Sequence, residues 1–253
     1  MFNKKSLLIT GGTGSFGKEW VKYILHKHKS LKKLVIFSRD ELKQYEMEKE
    51  YSLKKFPHIR YFIGDIRDSD RLEFALREID YVIHAAALKQ VPTAEYNPIE
   101  TIKTNIIGAH IKGRKKISFS IVRYGNVMGS RGSVIPYFKE SSKKGIIHIT
   151  HKDMTRFNLT LIESVKMVEW ALQNSVGGEI FVPKILSYKI LDLAKAIGPD
   201  CKIKIVGVRT GEKIHEELIS LGESQSTIET NNYYIILPTT NKHHINLFKK
   251  KFK

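Results

Sequence analysis

Residues 10–17 read Thr-Gly-Gly-Thr-Gly-Ser-Phe-Gly, directly after the apolar run Ser6-Leu7-Leu8-Ile9 and directly before a stretch of helical periodicity. No other feature restricts the fold so far, because a glycine turn between a strand and a helix opens a parallel βαβ unit that holds a dinucleotide. Gly11 permits the tight turn, Gly14 lets the backbone approach a pyrophosphate, and Gly17 lets the helix lie close on the strand. The helix N-terminus that follows offers unpaired N–H donors and the positive end of its dipole to the anion.

The pattern downstream agrees. Strands are predicted over 6–10, 33–37, 60–64 and 81–84, alternating with helices over 15–28, 40–53 and 68–78. That alternation is an α/β, doubly wound parallel Rossmann sheet. A loop over 85–92 and a helix over 98–110 follow. The rhythm then breaks. Residues 111–116 lead into a strand-like stretch at 117–123, with room for one crossover but not for a further strand and helix. The sheet is therefore expected to lack about one strand and one helix. Further helices are predicted at 159–172, 190–197 and 213–220, and strands at 179–183 and 202–206. The expected organisation is a nucleotide-binding domain over 1–123, a smaller substrate lobe over 124–236 and a basic tail over 237–253.

At 253 residues the chain buries a sizeable core unaided. Cys201 is the sole cysteine, which excludes intramolecular disulfides, Cys-based zinc sites and iron–sulfur clusters. No apolar run reaches the length of a membrane span, and the N-terminal apolar stretch is too short for a signal peptide, so the expectation is cytoplasmic with no membrane partner. The 43 Lys and Arg against 26 Asp and Glu, a net +17, invite a nucleic-acid reading. The excess is spread through both halves and is mostly Lys, which argues for a solvated basic surface or attraction to small anions, and against nucleic acid.

The second predicted strand ends at Phe37-Ser38-Arg39-Asp40. Binders of NAD place a carboxylate there for the ribose hydroxyl. Here Ser38 and Arg39, with Lys43 one turn on, are donors suited to a 2′-phosphate, so NADP is favoured. Asp40 reads as a helix cap. Asp65-Ile66, past the third strand, is placed to meet an adenine edge or to cap a turn. Two later segments have the composition of anion binders: the Gly/Ser/Arg stretch 123–134, with Arg131, and Arg209-Thr210-Gly211-Glu212 before the helix expected at 213–220.

Chemistry is harder to place. A dehydrogenase of this class needs a tyrosine with a lysine four residues on, the ammonium lowering the phenol pKa so that it serves as a base. The three matches, Tyr23/Lys27, Tyr45/Lys49 and Tyr51/Lys55, all fall in the first two helices, away from the nicotinamide end. They read as coincidence in a Lys-rich chain. His215-Glu216 lacks a second histidine four residues on, and there is no G-x-S-x-G elbow.

Taken in order, TGGTGSFG, FSRDELKQ, GDIRD, HAAALKQVPTAEYNP, TNIIGAH, RYGNVMGSRGSVIP, MTRF, GGEIFVPKI and GVRTGEKIHEELIS resemble the inverting UDP-N-acetylglucosamine 4,6-dehydratases, extended short-chain dehydrogenase/reductases of bacterial sugar-nucleotide pathways. The resemblance covers 1–110 and about 117–236. It implies an NADP site at Thr13, Gly14, Ser15, Phe16, Ser38, Arg39, Asp40, Glu41, Leu42, Lys43, Asp65, Ile66, Ala85 and Lys89, continued by Val127, Met128, Gly129, Ser130 and Arg131. It implies UDP-sugar contacts at Lys89, Asn126, Val134, Thr150, Arg156, Arg209 and Glu212. In that family NADP⁺ oxidises C4, water leaves across C5–C6 and the hydride returns to C6. An Asp-Lys pair and a Tyr-x-x-x-Lys helix carry this chemistry, and both belong between 108–110 and 117–119. No Asp here is followed by Lys, and no catalytic residue is assigned. The expectation is a dehydratase-family lyase fold without its catalytic segment, inactive as it stands, its homo-oligomer contact weakened. The alternatives are a relict binder of NADP and UDP-sugar, perhaps partnering an intact copy, and an enzyme using other residues.

Overall fold

A computed structural model of the chain describes residues 2–89, 91–107, 117–130, 132–238 and 242–251. They form two compact units, Met1–Lys116 and Ile117–Lys253.

The first unit runs β1 (Ser6–Thr10), α1 (Ser15–Lys27), β2 (Lys33–Ser38), α2 (Glu41–Glu50), β3 (Ile59–Ile63), α3 (Ser69–Ala75), β4 (Tyr81–His84), α4 (Val91–Tyr96) and α5 (Pro98–Ile102), with a π-helical turn over Lys103–Ile107. The four strands make one parallel sheet in the order β3-β2-β1-β4. All of β1 and five of the six residues of β2 are buried, as central strands covered on both faces must be. Leu8, Val35 and Phe37 pack with Ile66 and with Leu72 and Ala75 of α3. Helix α1 buries Trp20, Val21, Ile24 and Leu25, the stripe its periodicity requires. Asp40 caps α2, its carboxylate accepting from the Lys43 amide at 3.0 Å, and Asp68 caps α3 in the same way.

The second unit runs β5 (Ile121–Val122), β6 (Asn126–Val127), α6 (Val134–Ser142), β7 (Ile146–Ile149), β8 (Thr155–Leu159), α7 (Leu161–Asn174), β9 (Ile180–Pro183), β10 (Ser187–Lys189), α8 (Ile190–Ile197), β11 (Lys202–Ile205), α9 (Leu221–Ser224), β12 (Thr227–Glu229), β13 (Tyr233–Ile236) and α10 (Lys242–Lys251). Its sheets are ordered β12-β13-β9-β5, β10-β8-β6 and β11-β7. One cluster gathers Phe138, Ile147, Ile149, Met154, Ile190 and Ala194; another gathers Met167, Ala171, Phe181, Ile235, Leu237 and Phe248.

Several expectations change. The strand at 117–123 shrinks to β5, which pairs in parallel with β9 and so belongs to the second unit. The observed division accordingly falls before Ile117 rather than after Arg123. The helix expected over 213–220 does not form. The Ile214 carbonyl accepts from the Thr155 amide at 3.1 Å and from the Arg156 guanidinium at 3.1 Å, and the Leu218 carbonyl accepts from the Arg123 guanidinium at 3.0 Å. His215-Glu216 is therefore not helical. Within 237–253, Leu237 and Phe248 are core residues, so the stretch is more than a basic tail. Helix α4 starts inside the expected loop, and residues 108–110 of the helix expected over 98–110 lie outside the described residues. Among the described residues no helix is long and apolar enough to cross a membrane.

Candidate functional site

At the C-terminal tip of β1, Gly11 takes φ +66° and accepts the Gly14 amide on its carbonyl at 2.9 Å, making the tight turn. A Cβ at Gly17 would stand 2.5 Å from the Gly12 backbone, so only glycine lets α1 lie this close. Gly14 is the N-terminal flanking residue of α1, with no side-chain cap and no acidic residue in the first turn. An anion at this end meets a positive dipole that no carboxylate of the first turn offsets. The residues fit a pyrophosphate.

Thr13 and Ser38 are buried and share a hydroxyl–hydroxyl bond of 2.7 Å, which ties the glycine loop to the end of β2. Arg39 and Lys43 both face carboxylates. Arg39 donates to Asp65 at 3.2 Å, and the Lys43 ammonium sits on Asp40. Asp65 also receives the backbone amide and the guanidinium of Arg67, which hold its pKa down at about 2. Arg67, which the sequence reading did not single out, thus belongs to this cluster and bonds Glu100 as well. Ile66, expected beside the adenine, puts its side chain into the core with Leu8 and Phe37. Glu41 opens α2, and Leu42 beside it is two-thirds exposed.

Beyond β4 the stretch from Ala85 to the exposed Lys89 is held by Asn105 of the π-helical turn. Its amide accepts from the Leu88 N–H at 2.8 Å and donates to the Leu88 carbonyl at 3.0 Å. The sequence reading gave Asn105 no such role, because its partner lies seventeen residues away. The three Tyr/Lys pairs lie on α1, on α2 and just past it; Lys27 donates to the Tyr23 hydroxyl at 2.7 Å on an exposed face.

In the second unit the stretch expected to bind anions is partly strand. Asn126 and Val127 form β6, paired in parallel with Asn158 and Leu159. Gly125 is obligatory there, since a Cβ would stand 2.5 Å from Phe157 Cβ. Met128, Gly129 and Ser130 make the turn, with Gly129 at φ +69°, and Val134 opens α6. Arg131 lies outside the described residues. Arg156 of β8 is 9% exposed, with Glu212 at 3.6 Å and Glu216 at 3.8 Å. Glu212 also accepts the Arg209 amide at 3.2 Å, and Thr155 bonds the His215 ring at 2.8 Å. Arg156 is thus brought to Glu212 and Glu216, more than fifty residues on, while Arg209 joins Glu212 locally through its backbone amide. Thr150 donates to the sulfur of Met154 at 3.2 Å.

The family model for polysaccharide biosynthesis proteins matches the chain twice, over residues 7–112 and 109–238. A protein of Campylobacter jejuni called UDP-N-acetylglucosamine 4,6-dehydratase (inverting) is 46% identical over 286 residues, which cover 94% of this chain and 84% of the relative. A Rickettsia bellii protein called UDP-glucose 4-epimerase is 38% identical over 288 residues, 93% of this chain and 84% of its own. Among solved structures, Pen from Bacillus thuringiensis superposes with a TM-score of 0.86 at 33% identity, covering 93% of this chain and 90% of that one. A dTDP-glucose 4,6-dehydratase from Bacillus anthracis, at 16% identity and TM-score 0.64 over 85% of this chain and 87% of that one, shares the fold.

Proposed function

The chain belongs to the polysaccharide biosynthesis protein family, with nucleotide-sugar 4,6-dehydratases and 4-epimerases as relatives, and on that premise we propose that it binds NADP and UDP-N-acetylglucosamine without dehydrating the sugar at a family-like rate. One observation carries this reading. The alignment with the Campylobacter relative spans 286 residues, more than the 253 of the whole chain, and the two family-model matches meet at 109–112. The absent stretch is where the resemblance puts the Asp-Lys pair and the Tyr-x-x-x-Lys helix. The parallel sheet ends at β4 among the described strands, and β5 pairs with β9, which supports the loss of a strand from this point.

The glycine turn and the N-terminus of α1 would hold the pyrophosphate. Arg39 and Lys43 would take the 2′-phosphate by exchanging Asp65 and Asp40 for it. A nicotinamide ring held there would supply a hydride acceptor for the sugar C4. Arg156, Arg209 and Glu212 would hold the diphosphate and ribose of UDP, with Asn126 as a further contact. No tyrosine–lysine pair of this chain is placed to take the C4 hydroxyl proton, since all three lie on or just past α1 and α2. The homo-oligomer contact that the resemblance implies would be weakened.

Calorimetric titration with NADP, NAD and UDP, paired with product analysis on UDP-N-acetylglucosamine, tests the reading. The expected result is binding of NADP and UDP with no 4-keto sugar above background. A 4-keto product would overturn the inactivity, and failure of both ligands to bind would overturn the whole reading.

A further inference from the structure

Three segments of the first unit meet at the N-terminal ends of β1, β2 and β4, the end of the sheet away from the glycine turn. The Lys4 amide donates to the Ser30 carbonyl at 2.7 Å and the Lys32 amide to the Lys5 carbonyl at 2.9 Å, which ties residues 2–5 to 26–33. The Lys33 ammonium donates to the Arg77 carbonyl at 2.8 Å, and Lys5 pairs with Asp80 at 2.9 Å, which brings in 77–80. Phe2 is fully buried, edge-on to His28 at 5.0 Å and to Tyr81 at 5.4 Å. Within these three segments seven Lys and Arg stand against two acids, Glu78 and Asp80. Among the other described residues of the unit, twelve stand against twelve. The positive excess of that described part therefore sits at this one end.

The two acids leave most of that charge in place. Asp80 is shared between Lys5 and the Ser6 amide, and Glu78 faces Lys32 at 3.5 Å with both side chains in solvent, where a pair is worth little. Lys4, Lys27, Lys29 and Arg77 are exposed. Six of the seven cations are Lys, compact charges without the planar fork that reads a phosphate or a base edge, so they suit a diffuse anionic field. Phe2 is the one aromatic of the three segments and is buried, so none of them offers a ring to stack on an unpaired base or to enter acyl chains. The helix end at this surface is the C-terminus of α1, not an N-terminus that would seat a phosphate. We infer that this end of the first unit docks, by charge alone, on a lipid bilayer rich in anionic headgroups. The length of β1, about 15 Å, separates it from the glycine turn, so docking leaves that turn open. The expectation of no membrane partner rests on the lack of a spanning segment, and docking by charge needs none.

Co-sedimentation of the full chain with vesicles tests it. Vesicles of phosphatidylcholine and phosphatidylserine are expected to bind the chain at low salt and to release it as NaCl rises to about 0.5 M, while phosphatidylcholine alone binds none. Each cation at such a surface is worth about fivefold in affinity, so Lys4→Gln/Lys29→Gln/Lys32→Gln should bind about a hundredfold more weakly. Lys249→Gln/Lys250→Gln/Lys251→Gln removes the same charge from α10 and should stay within about threefold of the unaltered chain. An unchanged urea midpoint in the first triple variant separates a lost contact from a lost fold; should the midpoint fall, the three single variants, each expected about fivefold weaker, decide. No binding to the anionic vesicles, equal binding to phosphatidylcholine alone, or equal weakening in both triple variants would overturn the proposal. Duplex DNA bound more tightly than the vesicles, and lost in the first triple variant, would make the surface one for nucleic acid and overturn the lipid assignment.

Discussion

Arg67 grips Asp65 in bidentate fashion, its Nε 3.0 Å from one carboxylate oxygen and its Nη2 2.6 Å from the other. Arg39 reaches the second oxygen at 3.2 Å. A cofactor 2′-phosphate would therefore have to win Arg39 from a carboxylate, and Arg67 decides how firmly that carboxylate holds on. Two cations share one anion, so each is held less tightly than in a simple pair.

Cofactor choice follows from that sharing. In Arg67→Ala, Asp65 has Arg39 as its remaining guanidinium partner and competes with the phosphate for it. The ratio of NADP to NAD affinity should fall by about fivefold, the scale of a partly exposed ion pair. Asp65→Asn removes the competitor and should move the ratio the other way. Calorimetric titration of both cofactors against both variants measures this, and a ratio that neither substitution moves would sink the idea.

Stability toward acid should depend on Glu223. Its carboxylate takes a bidentate bond from Arg123 at 3.0 and 2.9 Å and further bonds from the amide and hydroxyl of Ser220. The Arg123 guanidinium, first, and these Ser220 bonds draw its pKa from 4.5 to about 2. A group whose folded pKa is depressed adds stability above its unfolded pKa and loses it as pH falls through the folded one. The contribution is thus complete above about pH 5 and fades from there to about pH 2. Urea unfolding midpoints from pH 7 to 2.5 should fall less steeply for Glu223→Gln than for the unaltered chain. Parallel curves would show that the pair contributes nothing.

The close seat of α1 gives a packing prediction. With a Cβ only 2.5 Å from the Gly12 backbone, Gly17→Ala must push the first turn of α1 off the glycine loop. Overpacking of this kind costs about 1–3 kcal/mol. A urea midpoint lowered at unchanged slope is expected. Gly129→Ala is the comparison, because nothing lies within 4 Å of its Cβ and the strain there is only that of φ +69°.

How far the residues revealed this molecule differs between its units. In the first, strand and helix alternate with strong periodicity, β1 and β4 fall where expected, and the glycine spacing carries its own mechanism. In the second, β6, β7, β8, β10, β12 and β13 are two to five residues long, and strands that short leave little period-two pattern to read. The run 213–220 looks helical by propensity, but β8 claims the Ile214 carbonyl and Arg123 the Leu218 carbonyl, and no local signal announces that. Arg156 and Glu212 were legible as residues; that Glu212 and Glu216 come to Arg156 was not, because it depends on tertiary contact. Arg67 and Asn105 lie within the stretches GDIRD and TNIIGAH but were given no role there, and their role became visible only through the atoms they hold.

On the proposed reading, inserting the family segment should confer turnover. The sheet ends at β4 among the described strands, so a family strand, helix and loops inserted between His110 and Ile111 would have an edge to pair with. The insert would bring back the Asp-Lys pair for C5 deprotonation and C6 hydroxyl departure, and the tyrosine that takes the C4 proton as hydride leaves. General acid–base groups each contribute about 10²–10⁴-fold, so the unaltered chain should form 4-keto product at no more than background and the restored chain far above it. Two controls separate chemistry from folding. The restored chain with phenylalanine at the inserted tyrosine should bind NADP and UDP as tightly as its parent and lose turnover. The unaltered chain should bind UDP but stay silent at every enzyme concentration. Clear 4-keto product from the unaltered chain would refute the assignment, and a restored chain that folds, binds both ligands and stays silent would show that the lost groups are not what holds this protein back.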